Sequence, residues 1–152
     1  MIINTKYLGE IDIKKERIIK FKKGLLGFEN LKEYVILNLP NNEVFQCLQC
    51  IKDPEVAFII INPFLFFKDY DIEVDNEELE KLKISDKNQL ALYNIVTIPK
   101  DIKKMTANLL APIVINVKNK LANQIVLENT NYKTKHFVYN ETKEVNENVS
   151  SK

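Results

Sequence analysis

A chain of 152 residues carries 22 lysines and arginines against 21 aspartates and glutamates, with a single histidine. That length holds one core rather than two, and a formal net charge of +1 excludes nucleic-acid binding by bulk charge alone. A composition 45% hydrophobic and 28% charged excludes collagen, whole-chain disorder and a coiled coil.

The dominant period along the chain is two, the strand period, not 3.6. Residues 2–7, 17–21, 34–39 and 44–51 read as strands, with a short turn over 28–33. The run 56–61 is continuously apolar, as in a strand covered on both sides. Helix is scarce. The best candidate is 76–82, where Asp75 can cap the N-terminus with Glu78 three residues on and Leu79 and Leu82 can face a core. Leu90, Leu92, Val96 and Ile98 alternate, with Asn94 interrupting. Met105, Ala107, Leu109, Ala111, Ile113, Ile115 and Val117 are alternate apolar residues, which one unbroken strand would place on a single face. Leu121, Asn123, Ile125 and Leu127 alternate likewise. Many short strands joined by small polar connectors predict a mainly β, single-domain, antiparallel β-barrel-like fold over residues 1–139 with one or two short helices. Residues 140–152 are polar and charged and read as a disordered C-terminal tail.

Two cysteines make no disulfide framework. The N-terminus lacks a charged-then-apolar leader, and no apolar run approaches the ~20 residues of a membrane span. These features predict a cytoplasmic protein. Cys47-Leu48-Gln49-Cys50 has redox or zinc spacing, but both chemistries need converging sulfurs, and residues three apart in a strand point to opposite faces. Asp69, Asp71, Glu73, Asp75, Glu77 and Glu80 fit a calcium-loop register, yet Val74 stands where the loop needs Gly, and Asn62-Pro63 precedes it instead of a helix. No metal or cofactor is expected. What remains is a run, 69–80, with seven acids and no base: a solvated face, or a docking patch for a basic partner. Lys14, Lys15, Arg17, Lys20, Lys22 and Lys23 surround Phe21 and offer an alternative function, a β-barrel that binds nucleic acid by stacking on that ring; the bland reading is a charged edge strand that discourages aggregation. His136 has no Ser or Cys nucleophile motif beside it, and there is no P-loop, G-x-S-x-G or G-x-G-x-x-G. A small hydrolase around His136 is the weaker rival, and no enzyme is expected.

Several stretches are similar, in order and spacing, to one family. They are Tyr7-Leu8-Gly9-Glu10, Phe21 with Gly24-Leu25-Leu26-Gly27-Phe28-Glu29, Leu48-Gln49, Asp53-Pro54-Glu55-Val56-Ala57-Phe58, Asn62-Pro63-Phe64 and Asp69-Tyr70. Ile95-Val96-Thr97-Ile98-Pro99, the long run from Met105 to Asn116, Gln124-Ile125-Val126-Leu127 and Lys135-His136 complete the set. Together they resemble the bacterial flagellar assembly factor FliW family over residues 2–137. Cys50 stands where that pattern usually has Ser, Leu26 where it often has Pro, and Lys135 where it often has Arg.

The resemblance implies a small, monomeric, cytoplasmic, barrel-like protein without enzymatic activity or direct nucleic-acid or membrane binding. It implies two protein partners. One is flagellin, held as a chaperone would hold it; the other is CsrA, an RNA-binding translational repressor of the flagellin message. Binding lowers CsrA's affinity for RNA, and unsecreted flagellin, by occupying the same limiting binder, frees CsrA to repress. On that reading Asp69, Asp71 and Glu73 are expected to dock CsrA. Thr106 and Asn108, polar residues inside an apolar run, are expected to receive a flagellin segment with Phe28 and Leu110 as apolar anchors. The structural alternative for Thr106 and Asn108 is that they satisfy backbone groups at a bulge near Pro112.

Overall fold

Strands with alternating side chains must bury one face, and here seven of them do so by closing on one another. The computed structural model describes residues 1–139; the tail expected over 140–152 lies outside the described residues. The strands are β1 Ile2–Thr5, β2 Gly9–Asp12, β3 Ile19–Phe21, β4 Glu33–Asn38, β5 Phe45–Cys50 and β6 Ala57–Ile61. After the helix α1, Asn76–Lys81, come β7 Leu90–Thr97, β8 Thr106–Ala107, β9 Ile113–Asn116, β10 Leu121–Gln124 and β11 His136–Phe137. Sheet order runs β7-β6-β5-β4-β3-β10-β9, and β9 pairs back onto β7 to close a seven-stranded barrel. All its pairings are antiparallel except β3 with β10, which is parallel. β8 and β11 extend the sheet beyond the second half of β7.

Three apolar clusters follow from this closure. The barrel interior holds Ile19, Phe21, Tyr34, Leu48, Cys50, Ile60, Ile113, Ile115 and Ala122. The β1–β2 ribbon covers the outside of β4 and β5, burying Ile3, Ile13, Val35, Leu37 and Cys47. The segment around α1 covers the outside of β6, β7 and β9, burying Tyr70, Leu82, Leu92, Val96, Leu109 and Val114. Ile60 faces inward and Ile61 outward, both fully buried, which is why 56–61 is continuously apolar.

The run from Met105 to Val117 corrects the expectation of a single strand with one face. Ala107 pairs with Val96 and Ile113 with Tyr93, so the five residues 108–112 stand opposite only Asn94 and Ile95. The three extra residues are an odd number, and each step along a strand reverses the side chain. Met105, Ala107 and Leu109 therefore pack in the outer cluster, while Ile113 and Ile115 point into the barrel. Val117, expected on the same face, is exposed.

The helix lies where the sequence places it, but its start differs in detail. Asp75 stands at the N-cap without a side-chain capping bond. Glu78 instead accepts a hydrogen bond from Asn123 Nδ2 at 3.3 Å and lies 3.6 Å from the Lys81 amine. At the other end Lys83 takes φ 57°, and Lys83 N–H and Ile84 N–H donate to the Glu80 and Leu79 carbonyls, a Schellman ending that returns Ile84 to the core. Asn116 Nδ2 then binds the Leu82 carbonyl at 2.8 Å, fixing the helix to β9. Residues 28–33 contain turns and no helix, and β2 and β11 are strands the sequence reading omits.

Candidate partner-binding surface

Residues 62–75 cross the outside of the barrel between β6 and α1. Asn62 Oδ1 accepts the Phe64 N–H at 3.1 Å, buried Pro63 occupies the first position of the turn Pro63–Leu65, and the Pro63 carbonyl accepts from Phe66 and Phe67 at 3.1 and 2.7 Å. Tyr70 then turns inward. Its hydroxyl donates to the Leu109 carbonyl at 2.6 Å and accepts from Asn94 Nδ2 at 3.3 Å. Asn94 Nδ2 also reaches the Asn108 carbonyl at 2.7 Å, while Asn94 Oδ1 has no partner among the described residues. Burial pushes the Tyr70 hydroxyl up to about 12, with the Asn94 hydrogen bond pulling the other way. The Tyr132 ring packs edge-on against Tyr70 at 4.7 Å, and its hydroxyl accepts the Asp71 N–H at 2.9 Å.

This anchoring sets the direction of every side chain around it. Asp69, Asp71, Glu73 and Asp75 face solvent, while Tyr70, Ile72 and Val74 lean into the outer cluster. Glu77 and Glu78 share Lys81 at 3.6 Å. Asp69, Asp71, Glu73 and Asp75 have no ion-pair partner within 4.0 Å among the described residues. Their carboxylates are strung along an extended segment, and no three His, Cys, Asp or Glu of the described residues converge as a metal site would require.

The other expected partner residues fall in two places. Thr106 is half-buried in β8, with β7 on one side and β11 on the other, so it is no sheet edge. Asn108 Oδ1 accepts the N–H groups of Leu110 and Ala111 at 3.1 and 3.0 Å, an Asx turn that shapes the bulge. Leu110 is half-buried; its carbonyl accepts from Leu127, and the Lys133 carbonyl accepts from both Leu109 and Leu110. Through Tyr70 and Leu109, the structure joins the acidic segment to this bulge. Phe28 lies elsewhere, 37% exposed on the turn after Gly24, its ring edge-on to Phe58 at 5.3 Å. Gln124 connects that turn to the bulge, accepting from Leu26 N–H at 3.0 Å and donating to the Ala111 carbonyl at 3.1 Å.

The rival motifs fare differently. Phe21 is 1% exposed inside the barrel, edge-on to Tyr34 at 5.2 Å, so the lysine stretch has no aromatic platform for a base. Cys47 faces the ribbon and Cys50 the barrel interior, and burial pushes the Cys47 thiol up to about 11 against the opposing pull of Lys6. His136 Nε2 accepts the Lys133 N–H at 2.7 Å. Sequence reasoning missed Phe64, Tyr70, Asn94 and Tyr132. Asn94 did leave a signal, as the polar interruption of an apolar alternation, and Asn62-Pro63 is a turn-start dipeptide that fixes where Phe64 stands.

A family model described as FliW protein matches residues 2–138. The flagellar assembly factor FliW of Alkaliphilus metalliredigens (strain QYMF) is 46% identical over 148 residues, covering 97% of this chain and 91% of the relative. That of Bacillus subtilis (strain 168) is 42% identical over 142 residues, 93% of this chain and 99% of the relative. A solved structure described as the crystal structure of the flagellar assembly factor FliW superimposes with a TM-score of 0.87 at 42% identity, over 91% of this chain and 97% of the other.

Proposed function

We propose, from the premise that this chain belongs to the FliW family of flagellar assembly factors, that it is a non-enzymatic cytoplasmic regulator which binds flagellin and antagonises the RNA-binding repressor CsrA. The observation that carries the CsrA arm is the run of carboxylates at Asp69, Asp71, Glu73 and Asp75, without an ion-pair partner within 4.0 Å among the described residues and held outward by a backbone pinned at Tyr70. A protein that grips RNA presents positive surface, so a rigid acidic strip is complementary to it. Seated beside the RNA-contacting surface, the same charges repel phosphate without occupying the RNA site. For flagellin, Phe28 and Leu110 are the apolar contacts, while Thr106 and Asn108 hold the backbone that presents Leu110. The competing nucleic-acid reading has no comparable support, since Phe21 is enclosed in the barrel.

The test is the double variant Asp71→Lys/Glu73→Lys. Association with purified CsrA should slow, its salt dependence should flatten, and affinity should fall by about 1–2 kcal/mol, because charges at an interface rim act mainly on the encounter rate. Flagellin binding should change less. An association rate and salt slope equal to wild type would return the strip to a merely solvated face.

A further inference from the structure

Beside the acidic strip lies a groove with an apolar floor. Ile72, Val74, Leu79 and Leu90 line it, and Phe64 stands at its rim. Phe64 is 48% exposed although its backbone is locked by the Asn62 cap, buried Pro63 and the turn that follows, and its ring leans on Tyr70 at 6.3 Å. An aromatic on a fixed backbone, with only two side-chain torsions to order, gives up little conformational freedom when a partner covers it, which is the profile of an interface anchor. Asp71, Glu73 and Asp75 border the same groove, and among the described residues Lys87 is its one basic lining residue.

We propose that this groove seats a cationic segment bearing one large apolar side chain: the apolar side chain packs against Phe64 while flanking lysines or arginines meet Asp71, Glu73 and Asp75. The proposal rests on the reading that the acidic strip docks CsrA, and it assigns that partner the chemistry of the segment it inserts. The charge of such a segment complements the acidic border of the groove and its apolar side chain complements the floor; a second copy of this chain is the occupant the experiment must separate from it. The two parts of the surface then divide the kinetics, with the carboxylates setting the encounter rate and Phe64 the residence time.

The experiment measures association and dissociation of purified CsrA on wild type, Phe64→Ala, Leu65→Ala and Asp71→Lys/Glu73→Lys. Phe64→Ala should speed dissociation about tenfold or more, as loss of an aromatic anchor does, with association and its salt slope held within about twofold. Leu65 is 58% exposed but does not line the groove, so Leu65→Ala should behave as wild type. A melting curve verifies the fold of each variant; if Phe64→Ala does not fold, Val74→Ser probes the same floor and should also speed dissociation. CsrA leaving Phe64→Ala at the wild-type rate overturns the groove but leaves the acidic strip standing. CsrA failing to bind wild type overturns the functional reading and the occupant with it. A flagellin affinity that falls as far as that for CsrA, or a dimer in sedimentation that Phe64→Ala abolishes, assigns the groove to another occupant and overturns the proposal.

Discussion

Replacing Tyr70 by Phe removes one oxygen and nothing else from the junction between the acidic strip and the bulge. That oxygen donates to the Leu109 carbonyl at 2.6 Å, and Tyr70 and Leu109 are 5% and 2% exposed. Water cannot easily take its place, so the carbonyl is left unsatisfied and the cost rises from the ~1 kcal/mol of an average hydrogen bond to about 1–3 kcal/mol. Asn94 Nδ2 loses one acceptor and keeps the Asn108 carbonyl at 2.7 Å, which limits the damage. In a domain of this size each kcal/mol moves the melting midpoint by roughly 2–4 °C, so a fall of about 2–12 °C is expected. Urea denaturation gives the free energy, and amide hydrogen exchange locates the loss. The Asp71, Leu109 and Leu110 amides, bonded to Tyr132 and to the Lys133 carbonyl, should exchange faster than those of β4 and β5. A variant within about 0.5 kcal/mol of wild type, the spread of an ordinary surface substitution, with unchanged exchange at those amides would refute the claim that this hydroxyl fixes the strip.

Gly24 and Gly9 both have φ +67°, but a Cβ on Gly24 would lie 2.7 Å from the Phe28 and Glu29 carbonyl oxygens, whereas among the described residues nothing lies within 4 Å of one on Gly9. Gly9→Ala should therefore cost only the backbone strain of about 1 kcal/mol, and Gly24→Ala about 3 kcal/mol or more; equal urea midpoints for the two would contradict this. Stability should also decline in alkali. Burial holds the Cys47 thiol at about 11 instead of 9.0 and Tyr70 at about 12 instead of 10.0, and it raises Tyr34 and Tyr93 as well. Between the unfolded and folded values the unfolded chain has already lost the proton that the native state keeps, so stability drops as pH rises. These groups contribute a flat profile below about pH 9 and a fall from there to about pH 12, which urea midpoints at neutral and alkaline pH would detect.

A period of two in the amino-acid order is enough to establish a mainly β fold, because alternation is a local property of an extended chain. The same locality makes 56–61 legible as a strand covered on both faces, 76–82 as a helix, and Cys47 and Cys50 as residues on opposite faces. The order of short motifs was likewise sufficient to point to the family. Locality also marks the limit. Which face of a strand is inside depends on its pairing partner, and the odd excess of residues at 108–112 carries Ile113 and Ile115 to the opposite side from Met105 and Ala107, although all four have the same parity. For Asn108 the sequence leaves two readings open, a flagellin contact or a cap on backbone groups at a bulge near Pro112; the Leu110 and Ala111 N–H groups it binds come into reach only once the bulge forms. A base platform at Phe21 stays open in the sequence as an alternative to a charged edge strand, because nothing in its lysine-rich neighbourhood reveals that barrel closure encloses the ring. The surface proposed for partners was half legible: the charges of Asp69, Asp71 and Glu73 are written in the sequence. Phe64 is set locally by the Asn62 cap and Pro63, but the outward direction of those charges comes from hydrogen bonds between Tyr70 and residues 24 and 39 positions away, contacts that only the folded chain brings together.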